Sequence, residues 1–162
     1  MLRCHFLFIF MFAAALLGCS SYVGSTPVKG SAGDNVANYR SAFGSEIPPG
    51  LDVINSVATR HQYASSLSGA TFNYTYTFEL IAPPEWIESK TKHLQKADGS
   101  LGDEINLHRR NAPKWYAPKE PSRYNYYFDF TSASFIHMVA EKNPQPDGRY
   151  RVFLPGSLTF GP

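Results

Sequence analysis

Asp129 and His137 are the residues of this chain whose types and placement come nearest to acid–base chemistry. Each sits in a run with apolar residues at alternate positions, Arg123 to Thr131 and Phe135 to Glu141. If Ser132-Ala133-Ser134 turns the chain as a three-residue loop, Thr131 pairs with Phe135 and Asp129 falls directly opposite His137. A carboxylate in that position orients the imidazole and raises its pKa, which is half of a catalytic triad. No serine or cysteine stands in a recognisable nucleophile motif to complete it. The sequence therefore offers Asp129 and His137 as a cross-strand polar pair and offers no catalytic residue.

A second group suits binding rather than turnover. Asp98 to Pro121 (DGSLGDEINLHRRNAPKWYAPKEP) has no clear periodicity, and a stretch of that length inside a domain is commonly a functional loop or a disordered one. Within it, Lys114-Trp115-Tyr116 places flat aromatics beside a cation, a combination that suits sugar rings, a peptide or a partner protein. The same residues serve equally as a lid folded back over a sheet edge. Metal chemistry finds little support. His61, His93, His108 and His137 fall on different expected elements, without an i, i+4 pair. The acidic run Asp98 to Glu104 lacks the full alternation of a calcium loop. No GxGxxG, P-loop, GxSxG or HExxH is present, and Arg109-Arg110 is too short for a nucleic-acid patch. The expectation is no metal, no soluble cofactor and no nucleic acid.

The elements that must position these residues are legible in part. Asp34 can cap a short helix ending at Phe43, with Gly44 as its stop and Val36, Tyr39 and Phe43 near one face. Pro48-Pro49-Gly50 breaks the chain before a first strand at about Val53 to Arg60. From Thr71 to Ile81, Phe72, Tyr74, Tyr76, Phe78 and Leu80 point one way, and Thr71, Asn73, Thr75, Thr77 and Glu79 the other. Pro83-Pro84 then opens a helix with Glu85 and Glu88 early, Lys90 and Lys92 late, and Trp86, Ile87 and Leu94 for its buried side. Three strands follow: Arg123 to Thr131 with Tyr124, Tyr126, Phe128 and Phe130 on one face, then Phe135 to Glu141, then Arg149 to Leu154 after the turn NPQPDG. Pairing Glu141 with Arg149 sets Met138 opposite Val152 and Ile136 opposite Leu154. The expected fold is α+β, a mostly antiparallel sheet of about five strands ordered β-β-α-β-β-β, with a helix packed on one face.

The beginning of the chain carries an address. Met1 to His5 bears one cation, Arg3, and Phe6 to Leu17 is an unbroken apolar run. At about a dozen residues that run is short of the ~20 needed to span a bilayer, and it fits the core of a secretory signal. It ends in Leu16-Leu17-Gly18-Cys19, which resembles the lipobox of bacterial lipoproteins. The resemblance implies cleavage between Gly18 and Cys19, a diacylglycerol thioether and an N-acyl chain such as palmitate on Cys19. Ser20, in place of Asp, resembles an outer-membrane sorting signal. Cys4 leaves with the leader and Cys19 is modified, so no thiol remains for a disulfide.

These readings divide the chain into a signal peptide (1–18), a flexible tether (19–35) rich in Ser and Gly, and one α+β domain (36–162). Without Arg3, fourteen basic side chains face thirteen acidic ones, which gives no strong field for nucleic acid or anionic lipid. The 15% aromatic content suits a β-rich core. Phe43-Gly44, Ile47-Pro48-Pro49, Ala82-Pro83-Pro84-Glu85-Trp86 and Pro113-Lys114-Trp115-Tyr116 together look similar to small uncharacterised bacterial envelope proteins. The expected function is a non-enzymatic binding or accessory role at the periplasmic face of the outer membrane. Its partners would be the membrane, through the anchor, and an envelope protein or cell-wall component. Two alternatives stand beside it: a periplasmic immunity or inhibitor lipoprotein, and an envelope-polymer hydrolase using Asp129 and His137.

Overall fold

A computed structural model describes residues 21–65, 69–98, 113–116, 120–129 and 135–155 of the chain. The segment expected to be a signal peptide, with Gly18 and Cys19, lies outside the described residues. The fold is α+β, built on a seven-stranded sheet in the order β1-β2-β3-β7-β6-β5-β4 with every neighbouring pair antiparallel. The strands are β1 (Ser21–Pro27), β2 (Asp52–Ser65), β3 (Gly69–Ala82), β4 (Gln95–Asp98), β5 (Tyr124–Asp129), β6 (Phe135–Glu141) and β7 (Tyr150–Pro155). Helix α1 (Asn35–Phe43) precedes β2, and α2 (Pro84–Thr91) joins β3 to β4. The sheet is thus two meanders, β1–β3 and β4–β7, joined side by side through β3 and β7.

Local chemistry sets both helices. The Asp34 carboxylate accepts from the Ala37 N–H at 3.3 Å, and Gly44 closes α1 at φ +66°, the left-handed cap that a side chain disfavours. In α2, Pro84 occupies the first turn, where its missing N–H costs nothing. Both helices lie on the same sheet face. Tyr39 and Ala42 of α1 and Trp86 and Ile87 of α2 pack on Phe78, Leu80, Met138, Ala140, Val152 and Leu154. Val36, expected on the buried side of α1, is exposed, and the buried side is Asn38, Tyr39 and Ala42. Leu94, expected to repeat with Ile87, lies beyond the end of α2 and is half-buried.

Four expectations need correction. The sheet has seven strands rather than five, with β1 and β4 added. Ser21–Pro27, expected within the flexible tether, forms β1 because the long β2 offers it an edge to pair with, from Ala64 to Thr59. The β5–β6 register also differs. Asp129 pairs with Phe135 and Tyr127 with Met138, with a bulge between Tyr127 and Phe128. That bulge turns Tyr124 and Tyr126 to the face away from the helices, opposite Glu141 and Val139. In the last hairpin Arg149 is taken by Gln145, whose N–H donates to the Arg149 carbonyl at 2.7 Å around the turn closed by Gly148. Val139 therefore meets Phe153 and Ala140 meets Val152, two residues from the expected register but with faces preserved.

Beyond the helices the sheet continues as a three-stranded arm. Among the described residues, β7 pairs with β3 from Thr77 to Ala82, and the outer halves of β2 and β3 have β1 beside them. His61 is held in the arm by Thr75, Nε2 to Oγ1 at 2.9 Å, beneath the Tyr22 ring. Burial pushes its pKa below the ordinary histidine value. Because the folded state disfavours protonation, the contribution of His61 is complete above the unfolded pKa of about 6.5 and is lost as pH falls through the folded value. The unfolding temperature is expected to fall slightly from about pH 7 to about pH 5, and by less in His61→Gln. An identical slope in that variant would remove His61 as the cause.

Candidate functional site

The sheet face without helices carries its own core and a cleft. Alternation along β3 sends Phe78 and Leu80 to the helices and Glu79 to the other face, beside Phe153 of β7. Phe153, Val139, Tyr124 and Tyr126 form an apolar cluster on that side. The turn at 113–116, closed by the Tyr116 N–H donating to the Pro113 carbonyl at 2.8 Å, lays Tyr116 on it. Tyr116 meets the Phe153 ring edge-on at 5.6 Å and is buried, Trp115 is half-buried beside it, and Lys114 is exposed. The contact of Tyr116 is thus internal, while Trp115 and Lys114 keep surface to offer.

Trp115, Tyr124 and Phe153 form one wall of a cleft of about 560 Å³. Its charged lining mixes signs: Arg123 and Arg151 against Glu79, Glu120 and Glu141. Glu79 is the anchored member, only 7% exposed. It accepts from Asn55 Nδ2 at 2.7 Å and faces Arg151 Nη1 at 3.6 Å. That arrangement satisfies the buried carboxylate while leaving the Arg151 guanidinium nearly half exposed. Arg123 and Glu120 stand 3.9 Å apart and both are largely in solvent, a pair too loose to hold either side chain away from a ligand. Burial, and secondly the Glu141 carboxylate, pushes the Tyr124 phenol above its ordinary pKa, so it keeps its proton at neutral pH. The cleft thus presents aromatic surface, an anchored Glu79–Arg151 pair, and the exposed side chains of Arg123 and Glu120 at its edge.

Asp129 and His137 lie elsewhere. They stand toward the far end of the β5–β6 hairpin from Tyr124 and Glu141, and the register sets Asp129 against Phe135. Their side chains lie outside the described residues, as does most of the stretch between Asp98 and Pro121. Alternation in the sequence put Glu79 on the strand face opposite Phe78, but nothing in it joined Glu79 to Arg151, Phe153 or Trp115. The signal available was a lone glutamate on a Thr/Asn-rich strand face. Among the described residues, no group of three or more His, Cys, Asp or Glu side chains is placed to hold a metal ion, and no helix is long and apolar enough to cross a membrane. No family model, curated protein or solved structure matches this chain.

Proposed function

We propose that this chain is a lipoprotein of the bacterial envelope, anchored through Cys19 at the periplasmic face of the outer membrane, with a non-enzymatic binding domain. The leader and Leu16-Leu17-Gly18-Cys19 support the address. The cleft carries the binding role. Its volume of about 560 Å³ falls within the ~300–1,000 Å³ typical of small-ligand sites. Guanidiniums and carboxylates around an aromatic wall suit a ligand bearing both an ammonium and a carboxylate on an extended body. The peptide-bearing fragments of the cell wall are such ligands, with sugar or aliphatic surface for Trp115 and a carboxylate for Arg151.

The test is equilibrium binding of purified peptidoglycan fragments to the processed protein. Trp115→Ala and Arg151→Met are each expected to weaken binding by about tenfold or more, equivalent to ~1.4 kcal/mol. Arg151→Met leaves the buried Glu79 carboxylate to Asn55 alone and Trp115→Ala removes packing on the apolar cluster, so both variants should unfold at lower temperature than the parent. Affinities are compared at a temperature where far-UV circular dichroism shows all three folded. Unchanged affinity in both variants, or no binding of peptide-bearing fragments by the parent, would remove the cleft from the proposal. The address is tested separately, by metabolic labelling with palmitate. Label is expected on the parent and absent from Cys19→Ala.

A further inference from the structure

We infer that the outer end of the β1–β2–β3 arm, with its exposed aromatic residues, is a membrane-contacting device that dips tip-first into the lipid interface beside the anchor. This rests on the lipoprotein reading above. β3 runs eight residues, Gly69 to Tyr76, past its last pair with β7 among the described residues, on the order of 25 Å of strand. That extension, with the matching part of β2 and the whole of β1, is poor in charge and rich in exposed apolar surface. Tyr22, Val23, Phe72 and Tyr74 are four of the six exposed large hydrophobic residues among those described, at 55%, 58%, 43% and 43% exposure. Across 21–27, 59–65 and 69–76 the sequence has one full charge, Arg60, and its guanidinium lies over the Phe72 ring at 4.9 Å.

Connectivity decides what covers this surface. Ser21 pairs with Ala64, next to the β2–β3 turn, so β1 begins at the tip of the arm and not at its base. Cys19 is two residues earlier, which limits it to ~7 Å of chain from that tip. A lipid on Cys19 therefore draws the arm tip to the bilayer surface. The aromatic positions fit that pose. Tyr22 shares one face with Tyr63 and His61, while Phe72 and Tyr74 lie on the opposite face. Tyr22 pairs with Tyr63, and Phe72 with the adjacent Gln62, so aromatic rings surround the arm at one level. A surface made to lie flat on a partner would collect them on one face. Rings around a tip match the interfacial preference of aromatic side chains, whose apolar bodies enter the acyl boundary while polar ends stay hydrated. With a single cation in the arm, the contact should not depend on anionic lipid.

The test uses the processed, lipidated protein reconstituted in phosphatidylcholine vesicles. Cys4 and Cys19 are the only cysteines of the sequence. On this reading one is removed and the other blocked, so a single introduced cysteine can carry an environment-sensitive fluorophore. Phe72→Cys and Tyr74→Cys sample the arm at exposed positions, and Glu88→Cys on α2 is the control. The expected result is blue-shifted emission at both arm positions, most of it lost when the vesicles carry lipid-embedded quenchers, with neither effect at Glu88→Cys. Adding phosphatidylglycerol should leave it unchanged. Water-like emission at both arm positions, in protein whose Cys19 carries palmitate, would overturn the inference and leave the anchor intact. Absence of lipid on Cys19 would overturn the lipoprotein reading and this inference with it. A blue shift that persists without vesicles and grows with protein concentration would assign the arm to a second copy of the chain, and would equally overturn it.

Discussion

Phe78→Ala is expected to cost about 3–5 kcal/mol of stability, while Phe72→Ala, three alternations away on the same strand face, costs at most about 1 kcal/mol. Residue type, strand and face are shared, so the difference isolates burial. Phe78 is fully buried, with Tyr39 edge-on at 6.2 Å, Phe43 at 5.7 Å and Tyr76 at 6.4 Å around its ring. Its neighbours come from α1 and from both flanking strands, with Ser56 of β2 and Leu154 of β7 directly beside it. Truncation opens a cavity that two helices and a sheet cannot all collapse into. Phe72 is 43% exposed and loses chiefly its contact with Arg60. Against a total stability of about 5–15 kcal/mol, the first change lowers the unfolding temperature by on the order of 10–20 °C. Urea unfolding of both variants measures the contrast. Equal losses would mean that position 72 is as buried as position 78, and would remove the exposed apolar surface of the arm.

The same strand shows what was legible in the sequence. Its run of alternating aromatics gave β3 correctly, because period two over ten residues has no helical alternative. Asp34 and Gly44 bounded α1 for an equally local reason: a cap and a left-handed stop act within one turn. β1 and β4 were illegible because neither Ser21–Pro27 nor Gln95–Asp98 has a strong pattern of its own. Each is a strand because a distant edge, β2 or β5, supplies its hydrogen bonds. Register failed for a different reason. Apolar matching fixes register only when one face is apolar, and the β5–β6–β7 region has apolar residues on both. Phe153 and Tyr126 fill the second core as Leu154 and Met138 fill the first, so pairing apolar with apolar could not choose the register between β5 and β6. The two-residue offset of β6 and β7, which keeps the faces, is set by the Gln145–Arg149 turn.

The cleft was hidden by the same ambiguity. A sheet read as one-sided leaves Glu79 in solvent and the Trp115–Tyr116 turn without a platform. Once Tyr124, Tyr126, Val139 and Phe153 form a second apolar layer, the turn has somewhere to dock, and Glu79 is enclosed between Asn55 and Arg151. Nothing in the spacing of Glu79, Trp115 and Arg151 announces this. Their convergence depends on β7 lying between β3 and β6, a non-local pairing that no window of sequence contains.

Asn38→Asp is expected to destabilise the domain by about 2–4 kcal/mol at neutral pH, more than loss of any surface ion pair. Asn38 is 5% exposed on the inner side of α1. Its amide donates to the Ser31 carbonyl at 2.6 Å and to Ser56 Oγ at 2.8 Å. Ser56 in turn donates to Asn35 Oδ1 at 2.8 Å, and Asn35 donates to the Val53 carbonyl at 2.7 Å. This chain of bonds ties α1 to β2, and through Ser31 to the segment that follows β1. Aspartate keeps the shape but replaces two donors with a charged acceptor facing other acceptors. A buried charge without a partner costs more than a lost hydrogen bond, so the new carboxyl should hold its proton well above the ordinary aspartate pKa. The sign follows from that shift. With a folded pKa above the unfolded one, the protonated form restores a donor, and the variant's deficit shrinks as pH falls and grows as pH rises through the folded value. The two exposed acid–base contacts of Arg149, with Asp52 at 2.6 Å and Asp147 at 2.8 Å, provide the comparison. Arg149→Met should cost no more than about 1 kcal/mol, because those carboxylates return to water. Denaturant titrations of both variants at two pH values decide the matter. A pH-independent deficit for Asn38→Asp below that of Arg149→Met would show that the helix is held to the sheet by apolar packing alone.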